Sequence, residues 1–225
     1  MKFGGLQKTS LIDFPDRIAT VLFVPHCNLR CPFCYNWRLV LEPKEPFLRD
    51  EDVFHILASR RRFVEGIVIT GGEPTLQPDL PQFLDKLKQN GFVTKLDTNG
   101  FYPDVLERCI PYLDYIAVDI KTLPERYKLL GAKDVSAFLR TIKLVTQGST
   151  DYEFRCTVVL GFVEEKDIPQ IGELVKSSKR FVFQQFVPGD TLDKTFNTIK
   201  PYSPEIITRF AEIMKSYVDE VILRI

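Results

Sequence analysis

Short apolar runs recur along the chain and are separated by longer segments with a helical period. In most runs the apolar residues follow one another and do not alternate with polar residues. Strands of this kind are covered on both faces, as in a parallel sheet. The pattern predicts seven strands, at residues 19–24, 66–70, 93–97, 115–119, 154–159, 180–185 and 220–223.

Three of the intervening segments carry apolar residues at the spacing of one helix face. Asp79 is a candidate cap for the first of these helices, and a further helix is predicted over residues 51–61. Strand followed by helix, repeated about six times, predicts an α/β protein, either a βα-repeat barrel or an open wound sheet. The predicted apolar faces are Leu80, Phe83, Leu84 and Leu87; Val135, Phe138, Leu139 and Ile142; and Ile206, Phe210, Ile213 and Tyr217.

The composition adds limits on size, partners and compartment. At 225 residues, and with no linker or composition shift, the chain is predicted to form one domain over residues 1–225. Thirty basic and thirty acidic side chains cancel, so no general attraction to nucleic acid or an anionic membrane is expected. No signal peptide or membrane span is apparent, which predicts a cytoplasmic protein. The loop over residues 188–204 is either a lid, a partner surface or a plain connection.

The strongest chemical signal is a group of three cysteines after the first predicted strand. Cys27, Cys31 and Cys34 lie in one short loop, whereas Cys109 and Cys156 stand alone. Such crowding favours a metal in a reducing compartment over a disulfide framework. Thiolates suit zinc or an iron–sulfur cluster. Zinc would need a fourth ligand, for which only the adjoining His26 is available, so a cluster with one open iron is the preferred interpretation and buried thiols are a minor one.

Polar segments follow three successive predicted strands. They are Gly71-Gly72-Glu73-Pro74, Asp97-Thr98-Asn99-Gly100 and Asp119-Ile120-Lys121. Because sites of parallel α/β proteins form at the carboxyl ends of the strands, these segments are expected on the face that carries the cysteines. A tight turn, helix caps and a surface ion pair are the plain structural alternatives.

The cysteine spacing, with Phe33 before the last cysteine, resembles the signature of the radical S-adenosylmethionine (SAM) superfamily. The Gly-Gly-Glu-Pro segment resembles a second element of that superfamily. The stretch from Gly4 to Pro15 and on to Val21 resembles the activating proteins of anaerobic ribonucleoside-triphosphate reductase, and the resemblance extends over the whole chain. The departures are Asp16, where glycine is common, and Tyr35, where histidine is usual.

The resemblance implies a partial (βα)6 barrel with mostly parallel strands, and a 4Fe–4S cluster on Cys27, Cys31 and Cys34 with SAM on the open iron. It implies that the Gly-Gly-Glu-Pro carbonyls hold the SAM amino group. It also implies a small monovalent cation near SAM, lined by Asp97, Thr98 and Asp119. Arg155 lies in a predicted buried strand, where a cation is costly unless it is paired; an anion such as the SAM carboxylate is one candidate partner, and solvent or a structural aspartate is the alternative. The cofactor-binding residues implied in this way are Phe33, Thr70, Gly71, Gly72, Glu73, Asp97, Thr98, Asp119, Lys121, Arg155 and, on a loose alignment with Gln184, Gln185.

The same resemblance implies the reaction. A deoxyadenosyl radical from SAM would remove a hydrogen atom from a glycine of a partner enzyme, most closely an anaerobic ribonucleotide reductase, with electrons from a flavodoxin or ferredoxin-type donor. No catalytic residue is expected beyond the cluster and SAM, because only His26 and His55 are present as histidines. The alternatives are a small radical SAM enzyme acting on a metabolite such as a deazapurine precursor, and a zinc-binding module without catalysis.

Overall fold

The computed structural model describes residues 1–225 and has an α/β fold. Eight strands form a mostly parallel sheet in chain order, β1 to β8. β1 pairs antiparallel with β2, whereas β2–β3–β4 and β6–β7–β8 pair in parallel. The strands are β1 (Gly5–Ser10), β2 (Ala19–Val24), β3 (Gly66–Gly71), β4 (Val93–Thr98), β5 (Tyr115–Asp119), β6 (Asp151–Val158), β7 (Arg180–Gln185) and β8 (Glu220–Arg224).

Seven α-helices and five 3-10 helices connect the strands. No helix combines the length and the apolar character that a membrane crossing requires. The α-helices are α1 (Trp37–Leu41), α2 (Asp50–Arg60), α3 (Leu80–Gln89), α4 (Pro103–Cys109), α5 (Ser136–Gln147), α6 (Ile168–Leu174) and α7 (Pro204–Met214). The 3-10 helices are Pro74–Leu76, Ile110–Tyr112, Pro124–Leu130, Glu165–Asp167 and Lys194–Asn197.

The chain folds into two compact units, each assembled from separate stretches of sequence. The first unit contains Met1–Asn28, Asn36–Thr98 and Asp104–Ile116; the second contains Leu29–Tyr35, Asn99–Pro103 and Ala117–Ile225. Neither unit is a continuous segment, and the single domain over residues 1–225 stays a prediction.

The seven predicted strands are confirmed, and most of them contain a run of buried apolar residues. In β3, for example, Ile67, Val68 and Ile69 are all fully buried. The eighth strand, β1, was missed. Its central residues Gln7, Lys8 and Thr9 are polar and exposed at the edge of the sheet, so it carries no apolar pattern.

The predicted helices are confirmed, with two corrections. The α3 face of Leu80, Phe83, Leu84 and Leu87 is buried as expected. Asp79 precedes α3, but its carboxylate does not cap the helix; it pairs with the Met1 ammonium at 2.5 Å. In α7 the buried face is rotated by about one residue from the prediction, and consists of Ile207, Phe210, Ala211 and Met214.

In the first unit, the end of β3 lies directly against the chain that leaves β2. The Gly72 N–H donates to the Val24 carbonyl at 2.8 Å, and the Glu73 N–H donates to the His26 carbonyl at 2.8 Å. A Cβ on Gly72 would lie 1.8 Å from the His26 oxygen. Position 72 therefore requires glycine, since any side chain would displace the residue that precedes Cys27.

In the second unit, a buried carboxylate ties β8 to β6. Glu153 is fully buried, and Arg224 donates to its two oxygens at 3.0 and 2.9 Å. A bidentate guanidinium–carboxylate pair of this kind is strong and geometrically specific.

Replacing Arg224 by Met should therefore lower the free energy of unfolding by about 3 kcal/mol, because the buried Glu153 carboxylate would lose both charge-assisted hydrogen bonds from Arg224. Chemical denaturation measures this change. Arg209→Met is the matched control, since its ion pair with Glu165 is more than half exposed on the arginine side and should contribute less than about 1 kcal/mol. Equal losses in the two variants would contradict the role given to the β6–β8 pair.

Replacing Gly72 by Ala should cost about 1–3 kcal/mol, because the backbone must move to admit the new Cβ. The new Cβ would displace His26, which precedes Cys27, so anaerobic reconstitution should also load less iron into the protein. Gly5→Ala is the control, because a Cβ there would meet only the Phe23 side chain, at 3.8 Å, which is an ordinary van der Waals contact. Full iron loading in Gly72→Ala would show that the turn does not set the position of the cysteine loop.

Candidate active site

The three clustered cysteines lie in the connection between β2 and α1. Cys27 belongs to the first unit and is partly exposed; in the second unit Cys31 is buried and Cys34 is partly exposed. None of them forms a disulfide. The Cys34 N–H donates to the Cys31 carbonyl at 3.0 Å, which closes a tight turn between these two thiols.

In the second unit, the segment that contains Cys31 and Cys34 is held by the chain around residues 187–193. The Leu192 N–H donates to the Cys34 carbonyl at 3.2 Å, and the Asp193 N–H donates to the Pro32 carbonyl at 2.8 Å. The Tyr35 hydroxyl donates to the Val187 carbonyl at 2.7 Å and accepts from the Val187 N–H at 3.0 Å. The beginning of the 188–204 loop is thus bound to the cysteine segment. Tyr35, which stands where histidine is usual, contributes two of these contacts through its hydroxyl.

Phe33 is buried in an aromatic cluster of the second unit. Its ring lies 5.0 Å from the Phe162 ring and 6.3 Å from the Phe196 ring, measured between centroids. This packing fixes the residue between Cys31 and Cys34. A contact between Phe33 and a cofactor stays a prediction.

The donor set of this loop fits an iron–sulfur cluster. The three side chains are soft thiol donors, and in a cuboidal cluster each thiolate binds a different iron. A structural zinc needs four ligands around one ion.

The Gly-Gly-Glu-Pro turn of the first unit is fixed by polar contacts on both sides. The Asn36 amide donates to the Gly71 carbonyl at 3.0 Å. The fully buried Glu73 carboxylate accepts from the Thr75 N–H at 3.1 Å, from the Thr98 hydroxyl at 2.7 Å and from the Thr75 hydroxyl. The carboxylate of Glu73 therefore joins the end of β3 to the end of β4, and the Thr98 hydroxyl is engaged by Glu73.

Asp97 has a cationic partner within its own strand. The Lys95 Nζ lies 2.5 Å from Asp97 Oδ1, and the two side chains are 1% and 8% exposed. A buried ion pair at this position was missed in the sequence. The signal was present, since Lys95 is a lysine inside a buried strand, as unusual as Arg155 in β6.

Asp119 lies between two cations of the second unit. Lys121 Nζ is 3.1 Å from Asp119 Oδ2, and Arg155 Nε is 2.8 Å from Asp119 Oδ1. Burial opposes ionisation of Asp119, but the charges of Arg155 and Lys121 outweigh it and hold the pKa of the carboxyl well below its usual value. Arg155 is thus paired with a structural aspartate, Asp119, which was one of the alternatives to a bound ligand in the sequence analysis.

Lys121 is held in the charged form by its surroundings. Burial alone would lower its pKa, but the negative charge of Asp119, with a smaller contribution from Cys31, raises that pKa above the usual value. The Lys121 N–H also donates to the buried Tyr127 hydroxyl at 3.0 Å. The second unit therefore places an ammonium within electrostatic range of Cys31.

The remaining predicted residues are placed as follows. Gln185 donates from Nε2 to the Tyr202 carbonyl at 2.6 Å, whereas Thr70 and Gly71 are partly exposed at the end of β3. Burial raises the pKa of both the Cys109 and the Cys156 thiol to about 12, so these two cysteines are protonated at neutral pH. The cofactor contacts proposed for Thr70, Gly71 and Gln185 stay predictions.

Comparisons with a family model and with named relatives point to the same family. The model of the radical SAM superfamily matches residues 21–175. The chain is 33% identical over 230 residues to a protein of Methanocaldococcus jannaschii named "Putative glycyl-radical enzyme activating enzyme MJ1227", covering 98% of this chain and 95% of the relative. It is 31% identical over 189 residues to a pyruvate formate-lyase-activating enzyme of Staphylococcus aureus, covering 77% of this chain and 74% of the relative.

Solved structures share the fold. The crystal structure of Streptococcus suis SuiB bound to S-adenosylmethionine superposes with a TM-score of 0.69 at 17% identity, over 90% of this chain and 51% of that one, so the chain spans about half the length of SuiB. The structure of QueE from Escherichia coli gives a TM-score of 0.56 at 20% identity, over 81% and 83% of the two chains. With the family model matching more than half of its residues, the chain belongs to the radical SAM superfamily.

Proposed function

We propose that this chain activates a glycyl-radical enzyme, and that its partner is an anaerobic ribonucleoside-triphosphate reductase. The observation that carries the first part is the relative named as a glycyl-radical enzyme activating enzyme, which aligns with 98% of the chain. The stretch from Gly4 to Pro15, which resembles the activating proteins of that reductase, supports the second part.

Cys27, Cys31 and Cys34 would hold a 4Fe–4S cluster, with SAM at the iron that no cysteine binds. When bound, the cluster supplies the electron that splits SAM into methionine and a 5′-deoxyadenosyl radical. A flavodoxin or ferredoxin-type protein is the proposed source of that electron.

The protein's own residues would bind and orient SAM. The turn at Gly71 and Gly72 is partly exposed, and we assign its backbone carbonyls to the SAM amino group because carbonyls accept hydrogen bonds from an ammonium. Lys121 and Arg155 bring two positive charges to one carboxylate, Asp119, so the group carries a net positive charge. We assign that charge to the binding of the anionic part of SAM.

The substrate assignment requires no general acid or base from the protein. His26 and His55 are both exposed, and neither contributes a buried acid or base. Removing a hydrogen atom from a peptide glycine needs no proton transfer by the protein, because the glycyl radical is delocalised over the flanking amide groups. A peptide loop of a partner enzyme is therefore a suitable substrate.

Mixed anaerobically with the reductase, SAM and a reductant, the protein should generate a doublet electron paramagnetic resonance (EPR) signal on the reductase. Deuterium from an α-deuterated glycine of the reductase should appear in 5′-deoxyadenosine. Cys31→Ala should abolish both results, whereas Cys109→Ala should preserve them because Cys109 is a buried thiol of α4. Consumption of a small metabolite, with all label retained in the reductase, would contradict the assignment.

Asp119→Asn should keep the full iron content but weaken SAM binding by about 10- to 100-fold, because the charge-assisted bonds that orient Lys121 and Arg155 are lost. Equilibrium binding to the oxidised, iron-loaded protein measures this change. Asp134→Asn is the control, since Asp134 is exposed and contacts only local groups such as Ser136. Unchanged affinity in Asp119→Asn would show that the Asp119 group is purely structural.

A further inference from the structure

We propose that Lys95 is a positioning residue that acts as a built-in cation for SAM binding. Its ammonium neutralises Asp97, so that SAM binds beside Asp97 without a free monovalent cation there. The inference rests on the proposed function and on the SAM-binding role that the family resemblance implies for Asp97.

Lys95 is placed for this role by the geometry of β4. Residues two apart on a strand point to the same face, so Lys95 and Asp97 share one side of the sheet. The lysine lies deeper, at 1% exposure, and its Nζ reaches Asp97 Oδ1 at 2.5 Å. Asp97 is the outer member of the pair, towards the carboxyl end of β4, where the neighbouring Thr98 contacts Glu73.

Lys95 lies in an apolar layer, with its Nζ 5.9 Å from the centroid of the Tyr115 ring, and an apolar side chain there would serve the stability of the core at least as well. In the sheet register Lys95 pairs with Val68, and Val68 pairs with Val21. Both valines belong to a buried apolar cluster with Phe14, Ala19 and Tyr115. Removing an ammonium from water into such a layer is unfavourable unless it is paired, and a well-packed apolar residue usually serves stability as well or better.

The charge of Lys95 meets a requirement of the proposed ligand. The methionine part of SAM carries a carboxylate, and a second carboxylate at Asp97 would repel it. The Lys95 ammonium gives the pair with Asp97 no net charge, which removes that repulsion.

The arrangement changes one expectation drawn from the family resemblance. That resemblance implied a small monovalent cation lined by Asp97, Thr98 and Asp119. In the structure Asp97 is paired with Lys95, and in the second unit Asp119 is paired with Lys121 and Arg155. Each carboxylate therefore has a cation supplied by the chain.

The first test compares variants by equilibrium binding of SAM to the oxidised, iron-loaded protein. Lys95→Met should bind SAM at least tenfold more weakly while keeping the iron content of the wild type. Ammonium or methylammonium salts should restore much of the lost affinity, since they replace the missing charge, which a packing defect would not allow. Lys86→Met is the control, because Lys86 pairs with Asp50 at the surface, and its affinity should be unchanged with or without these salts.

The second test uses the wild-type protein, so it holds even if Lys95→Met does not fold. SAM affinity should differ by less than about twofold among sodium, potassium, ammonium and N-methylglucammonium buffers of equal ionic strength. A tenfold dependence on the identity of the cation would overturn the proposal, as would a folded Lys95→Met protein with wild-type affinity or with a loss that no ammonium salt repairs. Neither test includes the partner enzyme, so failure here is distinguishable from a wrong partner assignment.

Discussion

The contact between the Gly-Gly-Glu-Pro turn and the chain leaving β2 sets the geometry on which the site depends. Two backbone hydrogen bonds, to Val24 and His26, extend the β2–β3 ladder past the ends of both strands. The approach is so close that Gly72 has no room for a side chain. Because His26 precedes Cys27, this contact fixes where the cysteine loop begins, and the Gly71 carbonyl is held beside it by Asn36. The first unit thus couples Cys27, a proposed cluster ligand, to the turn proposed to bind SAM, through backbone hydrogen bonds and the Asn36 side-chain amide.

Charged side chains with fixed partners lie at the ends of β3, β4 and β5. Buried ions persist in proteins when they are paired with an opposite charge or satisfied by hydrogen bonds, and each carboxylate at these ends meets one of these two conditions. Glu73 accepts from hydroxyl and amide donors, Asp97 pairs with Lys95, and Asp119 pairs with two cations. Such groups are oriented before any ligand arrives, so binding does not have to order them.

The strands were predictable because burial on both faces leaves continuous apolar runs, and the cysteine loop because its spacing is rare. Three other features were not. β1 is an edge strand with polar residues at its centre. α7 has enough apolar residues that either of two neighbouring faces could be buried. The Asp79 carboxylate pairs with the buried Met1 ammonium and so does not cap α3. The partners of Asp97 and Arg155 depend on register and side-chain reach, which periodicity does not encode. For Arg155, the sequence raised the question of which anion pairs with a cation in a buried strand. The same question applied to Lys95 would have pointed to a buried ion pair there.

The most direct test of the account is whether SAM binds an iron of a cluster held by Cys27, Cys31 and Cys34. The measurement is the EPR spectrum of the anaerobically reconstituted, dithionite-reduced protein before and after SAM is added. The account predicts about four irons and four sulfides per chain, as in a cuboidal cluster, and a spectrum that changes on addition of SAM. Stoichiometric zinc without iron, or a cluster spectrum that saturating SAM leaves unchanged, would contradict it.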